Sequence, residues 1–311
     1  MDILIPTYNR GEIVVENITL LNRIIGEEGA GETFRILVSN NCSADNTAQL
    51  LIAARNESAV EIQVFTQDEN IGGENNVLFL LQQASSDYVM FIGDDDFLVP
   101  QYLRYVLQTL KREPETRAII PGIASLYEGG RIVPERNEKF DVREYTRGLA
   151  AVSAISYLGH QISGTVFKRS GMAEAFLEDE SLGNLYPTIF FLGYSCMRGV
   201  THYAPVYKVL ISQDNVKYWN YDESGLLGDI FKNYKILFPS RPIVRLWLCL
   251  IVMYRQGPRL GRDGTVKGVI RAFFHLLSSP DLDLLFRLFL PIVFPLLFVR
   301  RAFRYCLRRL K

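Results

Sequence analysis

Three consecutive carboxylates, Asp94, Asp95 and Asp96, follow directly on the apolar run Tyr88–Ile92, with Gly93 before them and Phe97 after. Carboxylates this close repel one another, and the cluster is costly unless something positive sits among them. A hard divalent cation, Mg²⁺ or Mn²⁺, suits such a set, because it takes one or two carboxylates and completes its shell with phosphate oxygens and water. A cation there would neutralise a diphosphate as a leaving group. The competing reading is a solvated acidic turn capping the next helix, Pro100–Arg112.

Further polar clusters lie upstream: Thr7, Asn9 and Arg10; Asn40, Asn41, Ser43 and Asp45; Asp68, Asn70, Gly72 and Gly73. Each alone reads as an ordinary turn. Each also follows a short apolar run, at Asp2–Ile5, Phe34–Ser39 and Glu61–Thr66. With Tyr88–Ile92, these runs have the length and β-branched content of strands buried on both faces of a sheet. Helical segments separate them, at about Glu12–Ile25, Asn46–Asn56 and Glu74–Ala84, the last with Val77, Leu80 and Leu81 as its apolar stripe. Strand–helix alternation predicts an α/β fold with a mostly parallel sheet and right-handed crossovers. Ligands of such sheets bind at the carboxyl ends of the strands, where the four polar clusters fall.

Past residue 111 the pattern loosens. Gly129-Gly130 predicts a turn between strands Ile123–Tyr127 and Arg131–Val133. Helices are expected over Gly148–Leu158, Glu174–Leu177 and Pro187–Met197, and strands over Ile162–Phe167 and Val206–Ile211.

Composition narrows the function. Lys and Arg total 34 against 34 Asp and Glu, so overall charge gives no reason to expect nucleic acid as a partner. Cys42, Cys196, Cys249 and Cys306 lie far apart, which disfavours a zinc site or a disulfide framework and suits reduced thiols. No Walker A or G-x-G-x-x-G pattern is present, which disfavours ATP and NAD(P). Pro6–Arg10 has no glycine-rich triphosphate cradle of the kind a nucleotidyltransferase needs. The opening lacks a signal-peptide pattern, so a cytoplasmic catalytic part is expected.

Four motifs in order, Pro6-Thr7-Tyr8-Asn9-Arg10, Val38-Ser39-Asn40-Asn41-Cys42-Ser43-Ala44-Asp45-Asn46-Thr47, Asn70-Ile71-Gly72-Gly73 and the Asp triplet, resemble the family 2 glycosyltransferases. The resemblance is to the bacterial subgroup that builds surface polysaccharides, including abequosyl- and rhamnosyltransferase-like members. It implies a GT-A fold and an inverting, metal-dependent transfer from a nucleotide-diphosphate sugar to an acceptor hydroxyl. On this reading Pro6, Thr7, Tyr8, Arg10, Asn40, Asn70, Gly72, Asp94 and Asp95 line the nucleotide pocket, and Asp96 with Asp94 holds the metal. Asn40 stands where many relatives carry an aspartate that reads uracil, and an amide could read uracil, thymine or cytosine. The best match to the family's base is Asp179 in Glu178-Asp179-Glu180, with His160 and His202 as other candidates. The implied division is a nucleotide-sugar-binding half (1–110), an acceptor-binding half (111–215) and a helical C-terminal region (216–311).

That last region reads as a membrane anchor. Ser278-Ser279-Pro280-Asp281 looks like a helix start, with a serine cap and proline in the first turn. The apolar run Leu288–Val299 has 12 residues, short of the roughly 20 a span requires. Arg300, Arg301, Arg304, Arg308, Arg309 and Lys311 follow. An interfacial or re-entrant anchor on an anionic membrane surface fits this pattern, with Ile243–Tyr254 as a second apolar stretch that packs with it or also touches the membrane; the competing reading is a buried core helix with a basic tail. The expected place is the cytoplasmic face of the inner (plasma) membrane, peripheral or monotopic, facing a lipid-linked acceptor. The alternative is a membrane-tethered, non-catalytic nucleotide-sugar or glycan binding protein.

Overall fold

The computed structural model describes residues 1–135, 140–178, 186–213, 223–256, 266–279 and 282–309. The chain forms two compact units, Met1–Glu178 with Phe191–Val216, and Asp179–Phe190 with Lys217–Lys311.

The first unit is built on one sheet. Its elements begin β1 (Asp2–Thr7), α1 (Gly11–Glu27), β2 (Arg35–Asn40), α2 (Thr47–Glu57), β3 (Glu61–Thr66), α3 (Gly73–Gln83), β4 (Tyr88–Phe91), β5 (Asp96–Phe97) and α4 (Pro100–Arg112). They continue β6 (Ala118–Leu126), β7 (Ile132–Pro134), β8 (Arg143–Tyr145), α5 (Leu149–Ile155), β9 (Val166–Lys168), α6 (Met172–Leu177), α7 (Pro187–Arg198) and β10 (Thr201–Ser212). The strand order is β3-β2-β1-β4-β9-β6-β10-β5, with β7 on β6 and β8 on β10. β1, β2, β3 and β4 are parallel neighbours, as are β6 and β10, while β9 runs antiparallel between β4 and β6.

Ile3, Leu4 and Ile5 are wholly buried, because helices cover both faces of the sheet. Burial of each such side chain contributes roughly 1.5–3 kcal/mol. α1 lays Val14, Ile18, Leu21 and Ile25 on the sheet, and α4 adds Tyr102, Leu103 and Val106. Gly11 lets α1 and α2 close up: a Cβ there would meet the Thr47 Cα at 2.9 Å.

Several expectations shift. β3 is the sheet edge and only half-buried, not buried on both faces. On α3 the inward face includes Asn76 and Leu78, with Val77 only partly buried. That polar residue is accommodated because Asn76 Nδ2 donates to the Ser39 carbonyl at 3.0 Å and Oδ1 accepts from Ser39 Oγ at 2.5 Å. The strand expected over Ile162–Phe167 begins only at Val166. Thr165 N–H closes a turn on the Ile162 carbonyl, and Gly164 sits at φ +78°, which only glycine adopts easily. α5 gives way to a 3₁₀ turn over Ser156–His160. The strand expected from Val206 starts at Thr201, and its register on β6 shifts between Ala204 and Lys208, around Pro205.

The second unit contains α8 (Glu223–Leu237), α9 (Pro242–Gln256), α10 (Val266–Ser278) and α11 (Leu284–Arg309). α8 packs on α9 and α10, and α11 packs on the same two helices. Arg245 joins them through Asp283 (2.6 and 2.8 Å) and the Phe238 carbonyl (2.6 Å). Ser278 does not start a helix. Its Oγ donates back to the Phe274 carbonyl at 2.8 Å as α10 ends, and α11 begins at Leu284. Pro280 and Asp281 lie outside the described residues.

Candidate functional site

β2 and β3 lie on one side of β1 and β4 on the other, so strand order reverses at β1. A crevice forms at the carboxyl ends of strands at such a point, and ligands of open parallel sheets bind there. The residues at its rim are Thr7 from β1, Asn40 opposite it on β2, and the Asp94–Asp96 turn past β4.

The turn is held from three sides. Thr7 Oγ1 donates to Asp94 Oδ2 at 2.8 Å. Arg10 Nη1 lies 2.8 Å from Asp94 Oδ1 and 2.9 Å from Asp95 Oδ2, with its side chain almost wholly buried. Asn17, on the inner face of α1, donates from Nδ2 to the carbonyls of Gly93 (3.0 Å) and Asp94 (3.4 Å). From the far side Ser163 accepts the Gly93 N–H at 2.9 Å and donates to Asp96 Oδ2. Glycine at 93 leaves that carboxylate room, since a Cβ would stand 2.7 Å from Asp96 Oδ2.

This arrangement divides the triplet. Asp94 and Asp95 share a built-in cation, Arg10, so part of the positive charge the cluster needs is supplied by the chain itself. Burial still pushes the Asp94 carboxyl up to about 6, against the pull of Arg10. Burial also works against the Arg10 guanidinium, yet the two aspartates outweigh it and raise its pKa. Asp96 points elsewhere. Burial, then the Asp95 charge, pushes it up to about 7, and no cation pairs with it among the described residues. By donor chemistry Asp96 is the carboxylate that fits an added hard cation, with phosphate oxygens free to complete the shell.

The remaining motifs shape the crevice wall. Asn9, at φ +53°, accepts the Ala44 N–H at 2.8 Å through Oδ1 and gives its own N–H to Ser43 Oγ at 2.8 Å. Asp45 Oδ1 accepts the Thr47 N–H at 3.0 Å, and Thr47 Oγ1 accepts the Arg10 N–H at 3.2 Å. Asn41 bridges to the third motif, donating to Asn70 Oδ1 at 2.9 Å and accepting the Ile71 N–H at 2.9 Å. Gly72, at φ +83°, donates its N–H to Asn70 Oδ1 and opens α3. Asn40 is fully buried. Its Oδ1 accepts the Ser43 N–H at 3.1 Å, and its Nδ2 has no partner among the described residues.

Pro6, Thr7, Tyr8 and Arg10 therefore border the crevice from the end of β1, with Asn40 and the Asn70–Gly72 turn alongside. Nη1 of Arg10 is engaged by both Asp94 and Asp95. Asp179 lies outside the described residues. His160 is held on the Tyr157 carbonyl at 2.7 Å. His202 sits at the start of β10, whereas Asp96 pairs with Ile211 near its end, a separation of roughly 30 Å at strand rise. There His202 Nε2 lies 3.0 Å from Glu113 Oε2, and with Glu144 these are the one group of three metal-type side chains converging among the described residues. His202 is too far away to act as a base at Asp96. Asn17 and Ser163 were not legible as site residues; a buried Asn on the apolar face of a helix was the only available signal.

Along α1 opens a groove of about 900 Å³, lined by Val15, Leu20 and Leu50 and by Phe97 and Leu98, which follow Asp96 in the chain. Glu12 and Glu16 also line it.

A strand-end crevice with an acidic turn, on a mostly parallel sheet of this order, agrees with the GT-A fold of glycosyltransferases. The chain belongs to glycosyl transferase family 2, whose profile matches residues 2–170. It is 35% identical over 105 residues to the abequosyltransferase RfbV of Salmonella typhimurium, covering 34% of this chain and 30% of that one. It is 29% identical over 103 residues to the poly(ribitol-phosphate) beta-N-acetylglucosaminyltransferase TarS of Staphylococcus aureus, covering 33% and 17%. The matched segment is thus under a third of either relative. Among solved structures, S. aureus TarS 1–349 in complex with UDP-GlcNAc superposes with TM-score 0.63 at 15% identity, over 89% of this chain and 79% of that one. The mannosyltransferase PcManGT from Pyrobaculum calidifontis, in complex with GDP-Man and Mn²⁺, gives 0.55 at 11% identity, over 90% and 76%. At these identities the structures establish the fold.

Proposed function

We propose that this glycosyltransferase moves a sugar from a nucleotide-diphosphate sugar to a hydroxyl of a lipid-linked glycan, with inversion, in bacterial O-antigen or capsule-type polysaccharide synthesis. The observation that carries the reading is the position of the Asp94–Asp96 turn. It is locked by Thr7, Arg10 and Asn17 at the strand-end crevice, in a fold shared with a UDP-GlcNAc complex. The relatives that act on bacterial surface polymers support the polysaccharide context.

In the transfer, the acceptor hydroxyl attacks C1 of the sugar, the bond from C1 to the diphosphate oxygen breaks, and the nucleoside diphosphate leaves with the electron pair. The hydroxyl proton passes to a base, for which Asp179 is the proposed residue. Mg²⁺ or Mn²⁺ held by Asp96, with Asp94 close by, would neutralise charge on the departing diphosphate. Thr7 and Arg10 fix Asp94, Arg10 also fixes Asp95, and Ser163 fixes Asp96, so the carboxylates are set before the donor arrives. On this reading an acceptor would approach along the groove that Phe97 lines. Peripheral attachment to the cytoplasmic face of the inner membrane would bring the site to acceptors carried on lipid.

A thermal-shift series with UDP, CDP, dTDP and GDP, each with and without Mn²⁺, tests the donor site. Stabilisation by one nucleotide, enhanced by metal, is expected. Binding of a nucleotide sugar without any release of nucleoside diphosphate, given metal and membrane acceptor, would favour a non-catalytic binding protein.

A further inference from the structure

Eleven of the fifteen large hydrophobic residues exposed among the described residues fall between Ile243 and Val299. The same stretch is segregated in charge. Residues 241–311 hold fourteen Lys and Arg against three Asp and no Glu, although the whole chain is balanced.

α11 has two apolar faces. Phe286, Leu290 and Phe294 are buried within the unit, Phe286 against Phe231 at 5.0 Å and Phe294 against Phe273 at 5.1 Å between ring centres. Leu284, Leu288, Ile292 and Leu296 recur every four residues on the other face and are 62–71% exposed, with Val299 after them. This stripe is about 22 Å long at helical rise. The helix runs through Pro291 and Pro295, both exposed. The helices flanking α11 carry exposed apolar residues too, Ile243, Trp247 and Tyr254 on α9 and Ile270 and Phe274 on α10. Lys267 and Arg271 are exposed beside the latter pair. Asp283 is the one acidic residue among the described residues from 241 to 299, and Arg245 holds it.

We propose that α9, α10 and α11 form a monotopic docking surface for an anionic phospholipid bilayer, with α11 lying in the membrane plane. The inference deepens the peripheral-membrane part of the reading above and is independent of the transfer chemistry. Apolar stripes bordered by cations, with Trp and Tyr among them, match the boundary between acyl chains and anionic headgroups. A second copy is the poorer occupant, because two surfaces of the same strong positive charge would repel. No helix among the described residues is long and apolar enough to cross a membrane, which agrees with a helix that lies flat.

The test is flotation of the full chain with vesicles of phosphatidylcholine alone, or with phosphatidylglycerol added. Binding is expected to the anionic vesicles, weakened by salt. Leu288→Glu/Ile292→Glu and, separately, Ile270→Glu/Phe274→Glu should each reduce it at least about tenfold. Both pairs lie on exposed faces, so the melting temperature and the nucleotide thermal shift should be retained, which separates this proposal from the donor-site reading and from misfolding. Wild-type protein that ignores anionic vesicles, variants that float as well as wild type, or equal binding to both vesicle types would each overturn it. So would a lipid-free dimer that the same substitutions dissociate, since the face would then serve a second copy.

Discussion

One guanidinium nitrogen of Arg10, at the end of β1, stands 2.8 Å from the carboxylate of Asp94, 84 residues further along the chain. The same nitrogen reaches Asp95 at 2.9 Å. That nitrogen is an internal counter-ion that keeps two of three crowded carboxylates in place.

Arg10→Gln should therefore harm stability as well as transfer. Removing one partner of a buried ion pair leaves an uncompensated charge and costs about 3–5 kcal/mol. Urea unfolding should show a loss of that order, together with loss of activity. A variant with unchanged stability and only a raised KM for the donor would return Arg10 to the role of a nucleotide contact.

Asp96→Asn should abolish transfer, by about 100-fold or more, if several kcal/mol of charge stabilisation at the leaving group is lost. The fold should survive, because an amide oxygen can still accept from Ser163. Turnover and the Mn²⁺-dependent thermal shift measure the two parts, and unchanged turnover would remove Asp96 as the metal ligand.

Gly93→Ala should act on the same carboxylate without touching its charge. The new methyl would stand 2.7 Å from Asp96 Oδ2 and must push it off Ser163. A drop in kcat/KM of about tenfold or more, with a modest fall in melting temperature, is expected. Wild-type kinetics would show that the turn tolerates displacement.

The aspartates make the metal-free protein sensitive to pH. Unfolded, Asp94 and Asp96 titrate near 3.8; folded, burial raises them to about 6 and about 7. The folded state thus keeps protons that the unfolded state has released, and its stability falls as pH rises through that window. Melting temperature measured without metal should decline between about pH 4 and pH 7 and level off above, and Asp96→Asn should flatten the decline. Because a cation and a proton compete for Asp96, apparent Mn²⁺ affinity should rise over the same range. A melting temperature that climbs steadily with pH would contradict the environment assigned to these groups.

The donor half was legible because its signals are local. Apolar runs of strand length, helical stripes and polar residues after each run specify β1–α1–β2–α2–β3–α3–β4 to within two residues. The order of a parallel sheet then carries the strand ends to one edge. β5 and β8, two and three residues long, carry no periodicity that a sequence can display. The stretch from Ile162 looked like a strand because its residues favour one, and the turn that lifts Ser163 under Asp96 depends on contacts 67 residues away.

The sequence alone determined the class of sheet, the edge at which a ligand binds and the acidic turn set there, since these follow from periodicity and composition along a few residues. Only the tertiary structure decided how the charges divide, Arg10 to Asp94 and Asp95, and Ser163 to Asp96. It also decided which apolar face of α11 is buried and which is left bare. Hydrogen-bond partners and buried faces are settled by what lies across space, and residues 67, 76 or 84 places apart along the chain leave no local trace of who their neighbours will be.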